Sequence, residues 1–242
     1  MTRILADAQD LVGFKGYLDL IKTTKPEQVL HAYKLGEEID RVRDALNLAS
    51  TGRRVVLVCS GDPGVYAMAS LVFELIDKAR TYPHLKTWSH IQIEILPGIS
   101  AMQTAAARVG APLGHDFCAI SLSDLLTPWR FIEKRIHAAA DADFVIAFYN
   151  PRSKARSSQL EKAIEILRTH RSSDTPVVIA RNLGRQGEST SVCKLSTFDC
   201  TEVDMLSIVI VGSSTTRMYR LGENEGGYTP RGYHKKNDWE IA

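Results

Sequence analysis

Several things this chain lacks narrow what it can be. Its 242 residues hold only four cysteines, Cys59, Cys118, Cys193 and Cys200, and no C-x-x-C pair. That scatter excludes a zinc site of ordinary spacing and a disulfide framework. Reduced thiols and a cytoplasmic location are the expectation. No apolar run approaches the roughly 20 residues of a membrane span. Asp7, Gln9 and Asp10 interrupt the place where a signal-peptide core would lie. No membrane partner is expected. Net charge is only +2, which gives no footprint for a nucleic acid. No G-K-[ST] follows a glycine turn, and no G-x-G-x-x-G occurs, so a nucleotide phosphate loop is excluded. G-x-S-x-G, H-E-x-x-H and any local triad are missing too. Their absence suits chemistry in which a reactive cofactor carries the activated group and the protein orients it. Methyl transfer from a sulfonium is such a case.

What is present is organised around residues 55–68. Val55 to Cys59 is a short, β-branched apolar run, the pattern of a buried parallel strand. It stops at Ser60-Gly61-Asp62-Pro63-Gly64, and helical spacing follows over 66–79. Strand, glycine turn and helix together place a ligand at the carboxyl end of the strand. Backbone N–H groups at the helix start can take its polar groups. Asp62 would repel a phosphate but could accept from a ribose hydroxyl or an amine. Residues 91–96 alternate at period two, end at 97–100 and lead into an alanine-rich helix over 101–109. This predicts a second unit of the same design.

Earlier in the chain, Ile4, Leu5 and Ala8 have helical spacing, and residues 11–14 read as a strand. Residues 23–30 read as a turn and extended piece, and 35–50 as a helix with Glu37, Glu38, Asp40, Arg41 and Arg43 on a solvated face. Residues 111–115 look like a domain boundary, giving domains 1–113 and 114–242. The second half predicts strands at 117–122, 144–149, 177–180 and 204–211, with helices at 129–140 and 159–167. An extended segment is expected at 188–195, and a polar, turn-rich tail from 224. The fold class is α/β. Turns at 60–64, 97–101, 149–152 and 180–185 all follow strand ends, and a pocket between domains is the default ligand site. Arg152, Lys154, Arg156, Arg181 and Arg185 also follow carboxyl ends. They are either solvated surface or a grip on a polyanionic substrate.

Five motifs taken in order resemble the tetrapyrrole (corrin/porphyrin) methylase family. They are S-G-D-P-G-V-Y-A-M-A at 60–69, P-G-I-S-A at 97–101, P-L-G-H-D-F-C at 112–118, Y-N-P at 149–151 and A-R-N at 180–182. S-L-S-D-L-L-T-P-W at 121–129, V-I-V-G-S-S at 209–214 and T-P-R-G-Y at 229–233 extend the likeness to nearly the whole chain. The resemblance implies two α/β domains, S-adenosylmethionine as methyl donor folded between them, and a homodimer. It implies methylation of C17 of precorrin-3B, with ring contraction to precorrin-4 on the route to cobalamin. The alternatives are a sibling corrinoid methyltransferase acting on another carbon or on a cobalt-precorrin, and a non-catalytic binder. Carried over by motif, the cofactor contacts are Gly61, Asp62, Val65, Tyr66, Ser100, Ala101, Tyr149, Asn150 and Ala180. Arg152, Arg181 and Arg185 would meet the macrocycle carboxylates. His115 is the candidate for proton transfer in ring contraction, against a reading as a hinge histidine bonded to backbone. No metal site is expected.

One departure carries an expectation of its own. Family members begin with a strand and a G-x-G-P-G loop, and Met1-Thr2 lines up with the middle of the helix after that loop. The first sheet is therefore expected to lack an inner strand, leaving unpaired neighbours and a marginally stable chain.

Overall fold

Leu11 and Val12 are wholly buried, and the strand they belong to is the middle of the first sheet. The computed structural model describes residues 2–21, 25–153 and 156–233, with the side chains of 2 and 83–86 excepted. The expected extended piece at 23–30 therefore falls partly outside the described residues, as do Lys154 and the end of the tail. The chain divides into two units, Met1–Ser100 and Ala101–Ala242.

The first unit runs α1 (Thr2–Asp7), β1 (Asp10–Phe14), α2 (Lys15–Leu18), β2 (Val29–Tyr33), α3 (Glu38–Ser50), β3 (Val55–Val58) and α4 (Met68–Ala79), then a 3-10 segment, Pro83–His90. Its sheet is parallel, in the order β2-β1-β3, with Leu11 opposite both Leu30 and Val56. α3 turns Val42 and Leu46 inward onto α4 and Trp88. Glu38 and Asp40 lie in the first turn of α3, where acidic groups complement the helix dipole. Arg41, expected in solvent, is buried. Its guanidinium donates to the Lys34 carbonyl at 3.1 Å and to the Met68 sulfur at 3.5 Å. α4 begins at Met68 rather than at 66, because Tyr66 takes a left-handed φ of 51°. The expected strand at 91–96 pairs with no strand among the described residues. Together with β3 it lines a cavity, so the free edge of β3 is not in pairing reach of it.

The second unit runs α5 (Ala101–Val109), β4 (Gly110–Ala111), β5 (Phe117–Ser121), α6 (Trp129–Asp141), β6 (Val145–Tyr149), α7 (Ser158–His170), β7 (Pro176–Arg181), β8 (Ser189–Lys194), β9 (Ser207–Val211), β10 (Arg217–Leu221) and β11 (Asn224–Tyr228). Five strands pair in the order β5-β6-β9-β7-β8. β9 is antiparallel to both β6 and β7, so β5, β6 and β7 share one carboxyl edge. Alternate strand residues serve opposite faces. Ile146, Phe148, Val177 and Ile179 meet α6 and α7, while Val145, Ala147, Val178 and Ala180 meet Ala105 and Val109 of α5. α5 thus packs on this sheet, within the unit that starts at Ala101. β10 and β11 form a hairpin that β4 extends, so 224–228 is strand where a turn-rich tail was expected.

Candidate functional site

In the first unit two turns meet at the carboxyl end of β3. Gly61 takes φ 77°, a left-handed conformation that favours glycine. A Cβ on Gly98 would stand 2.1 Å from the Gly61 carbonyl oxygen, so no side chain is possible there. Asp62 ties the turns together. Its Oδ1 accepts from the Gly64 amide at 2.8 Å and its Oδ2 from the Gly98 amide at 3.0 Å. The Val65 amide closes the turn on the Asp62 carbonyl at 3.2 Å. Tyr66 is half-exposed, and Ser100 is buried at the end of the unit. The amides at the α4 start are not free. That of Met68 points to the Cys59 sulfur, and that of Ala69 donates to the Pro63 carbonyl at 3.0 Å. Burial pushes the Cys59 thiol up against the smaller opposing pull of the Met68 amide. The turn residues 60–67 contain no basic group, so they suit hydroxyl and amine functions rather than phosphate.

In the second unit, Tyr149 and Asn150 stand at the shared carboxyl edge. The Tyr149 hydroxyl accepts from the Met102 amide at 3.1 Å and thereby caps the first turn of α5, which Ala101 opens. Asn150 takes φ 50°, its side-chain amide donates to the Ser121 hydroxyl at 3.0 Å, and its carbonyl accepts from Arg156 at 2.9 Å. Ala180 is wholly buried beneath α5. Arg181 pairs with Asp204 at 2.8 Å, both about half-exposed. Burial acts to raise the Asp204 carboxyl, but bonds from Arg181, Ser207 and the Leu206 amide outweigh it, and the net shift is downward. Arg152 donates to the Cys200 carbonyl at 2.8 Å, a bond that braces the fold. Arg185 lies in the turn after β7, where its amide bonds the Asn182 carbonyl at 3.0 Å.

His115 lies apart from these groups. It precedes the amino end of β5, on the edge opposite Tyr149 and Asn150. Its Nδ1 accepts from the Asp116 amide at 2.7 Å, which leaves that nitrogen without a proton to give. The 3.3 Å approach of the same Nδ1 to the Asp116 carboxylate would require protonation, and the shorter amide bond is the better-formed contact. Ser121 and Gly98 were not singled out by the sequence, and Arg156 was only one of five basic residues that could be surface or substrate grip. Gly98 carried a sequence signal, the P-G dipeptide. Arg156 carried its place in a basic run, and Ser121 its place at the start of the 121–129 motif.

The profile of the Tetrapyrrole (Corrin/Porphyrin) Methylases matches residues 2–199. The chain belongs to this family. It is 46% identical over 230 residues to a precorrin-3B C(17)-methyltransferase from a Sinorhizobium species, covering 95% of this chain and 88% of that protein. Over 229 residues it is 43% identical to a probable cobalt-factor III C(17)-methyltransferase of Salmonella typhimurium, covering 95% and 90%. The crystal structure of the methyltransferase CobJ superposes with a TM-score of 0.85 at 44% identity, covering 95% of this chain and 91% of that one. A uroporphyrin-III C-methyltransferase from Thermus thermophilus, complexed with S-adenosylhomocysteine, shares the fold at 16% identity, with a TM-score of 0.58 over 87% and 88% of the two chains.

Proposed function

We propose that this chain methylates C17 of a corrinoid, precorrin-3B or its cobalt-bearing counterpart, with ring contraction, in the synthesis of cobalamin. The observation that carries this reading is the 46% identity over 95% of the chain to a protein named for that reaction. S-adenosylmethionine is the proposed donor, supported by the methylase family and by the S-adenosylhomocysteine held by a protein of the same fold. When bound it supplies an electrophilic methyl on sulfur. The residues of this chain bind and orient. Gly61, Asp62, Val65, Tyr66 and Ser100 are the donor contacts proposed in the first unit, and Ala101, Tyr149, Asn150 and Ala180 those proposed in the second. Arg152, Arg181 and Arg185 are proposed to meet the acetate and propionate groups. Arg181, held by Asp204, keeps its charge half in solvent. A cytoplasmic homodimer completes the reading. No described helix is long and apolar enough to cross a membrane.

The test is a single-turnover reaction with methyl-labelled donor, run in parallel on precorrin-3B and cobalt-factor III. Label appearing at C17 by NMR supports the proposal, and the faster substrate identifies the metal state. Tight binding of donor and corrinoid with no transfer would establish a binder instead. Arg181→Ala should weaken corrinoid binding more than donor binding. Equal loss of both removes Arg181 from the substrate side.

A further inference from the structure

The loop between β5 and α6 holds two leucines away from the core. Leu125 is 86% exposed and Leu126 97%, more than any other large apolar side chain described. Single exposed apolar residues are ordinary on a protein surface. This pair differs because the chain on either side of it is fixed. Leu122 is wholly buried, and its amide donates to the Tyr149 carbonyl at 2.9 Å. The Ser123 amide donates to the Ser121 hydroxyl at 3.3 Å, and the same hydroxyl takes the Asn150 side-chain amide. Asp124 accepts from the Gln159 side chain of α7 at 2.8 Å. Beyond the tip, Pro128 caps the start of α6, and its carbonyl accepts from the Phe131 amide at 2.9 Å. The tip between these anchors is Leu125-Leu126-Thr127. The loop leaves β5 at the carboxyl edge, beside Tyr149 and Asn150. A slack loop can fold its leucines back onto the protein, whereas a pinned one presents them to something else.

We propose that Leu125 and Leu126 are substrate contacts, seated against the apolar face of the corrinoid ring. This rests on the function proposed above, and it adds residues that meet the macrocycle itself where the arginines meet its rim. A lipid surface, a second copy of the chain and the substrate are the three occupants that would cover two leucines. Size separates them. Two leucine side chains hold fewer carbons than one myristoyl chain, which by itself anchors only marginally. They also fall far short of the ~800 Å² per partner that a specific dimer buries. A small ligand, in contrast, needs only a few apolar contacts at fixed positions, and a pinned pair supplies them without a further ordering cost. Charge points the same way. A corrinoid is an apolar ring edged with acetate and propionate groups. The tip is an apolar pair with cations close by: Arg130, exposed in the first turn of α6, and Arg152, which follows β6 at the same edge. The first turn of α6 holds no acidic residue, so its dipole also favours carboxylates there. The carboxylate of the loop itself, Asp124, is bonded to Gln159. Asp124 and Gln159 are thus positioning residues, which hold the tip without touching the ring.

The experiment combines Leu125→Ser with Leu126→Ser. Both side chains are exposed, so the fold should hold, and Tm checks it. A control, Leu221→Ser, removes an exposed leucine from the β10–β11 hairpin. Cobalt-factor III and precorrin-3B are titrated into each protein by absorbance, and S-adenosylmethionine by calorimetry. The double variant is expected to bind corrinoid about tenfold more weakly, from lost apolar burial. Donor affinity, Tm and oligomeric mass should not change, and the control should match the wild type throughout. The loss should be equal at low and high salt, because it is not electrostatic. Leu125→Met with Leu126→Met should restore binding. In methyl transfer the change should fall on KM and leave kcat near the wild-type value. Wild-type corrinoid affinity in the double variant overturns the proposal and leaves the proposed function standing. Equal loss of donor and corrinoid overturns it too, as the mark of a structural effect. A shift in mass by light scattering gives the tip to a second copy, and lost binding to phosphatidylglycerol vesicles gives it to a lipid surface; either result overturns the proposal. Where the double variant unfolds, Leu126→Gln alone is titrated, and unchanged corrinoid affinity there has the same force. A wild-type chain that binds neither corrinoid overturns the proposed function and this inference together.

Discussion

At the residue scale, Asp62 serves geometry as much as recognition. Both carboxylate oxygens already accept backbone amides, from Gly64 and Gly98. Asp62 is only half-buried, so loss of its carboxylate costs at most about 1–3 kcal/mol, and part of that cost falls on the turn. Asp62→Ala is expected to weaken donor binding roughly 5- to 150-fold by calorimetry, the same energy written as a ratio, and to speed exchange at the Gly98 amide. Normal Gly98 exchange with weakened binding would make Asp62 a direct ligand alone. Gly98→Ala meets the Gly61 carbonyl at 2.1 Å and must move one turn. It is expected to abolish donor binding while circular dichroism stays unchanged. His115→Gln should methylate and contract the ring at near-normal rate between pH 6 and 8, since His115 lies at the amino edge of its sheet with Nδ1 engaged. A large rate loss in this variant would support the catalytic role. Burial raises Cys118 and Cys200 to about 11, so both stay protonated at working pH.

At the element scale, a buried carboxylate fastens the first sheet. Asp10 of β1 accepts from Arg53 ahead of β3 at 2.5 Å and bonds His31 of β2 at 2.8 Å, with its own side chain only 1% exposed. The Arg53 bond is the largest influence on its pKa and lowers it, burial opposes, and His31 adds to the lowering. A carboxylate depressed in the folded state stabilises above its unfolded pKa of about 3.9, and that contribution is lost as pH falls through the folded value. The Tm of the wild-type chain should therefore fall below about pH 4. Asp10→Asn should start lower at pH 7 and lack that part of the acid fall. Parallel melting curves for the two proteins across this range would remove Asp10 from the balance. In the second unit, the Tyr149 hydroxyl performs the corresponding fastening by holding the start of α5 to the carboxyl edge of β6.

Across the whole molecule the two units are unequally built. In the second, β6, β7 and β9 are buried almost throughout, and helices cover both faces. In the first, β1 is buried, β3 is only half-buried, and 91–96 lines the cavity unpaired. Local stability follows buried contacts and protected backbone. Exchange should therefore be fastest in 55–59 and 91–96 and slowest in 145–149, 177–180 and 207–211. Calorimetry should show the first unit melting first. A single transition with uniform protection would contradict this ordering.

Composition and local pattern were enough for the α/β class, most strands and helices, the G-D-P turn and the family. These depend on period, on glycine and proline chemistry and on motif order, all written along the chain. Contacts between distant residues were not legible there. Arg41 reads as surface until the Lys34 carbonyl and Met68 sulfur are brought to it. Asp62 reads as a ligand group alone, and its second role, tying two turns together, shows only when Gly98, far along the chain, supplies its second donor. Residues 91–96 have strand periodicity, but a strand exists only where a neighbour takes its backbone bonds, and here 91–96 and β3 line a cavity without pairing. α5 belongs to the second unit because its apolar face fits that sheet, a matter of packing that spacing alone does not encode. His115 lies in a motif of the family, yet strand direction puts it at the edge away from Asn150. Pairing, burial and edge are properties of assembled neighbours, and only the tertiary structure decided them.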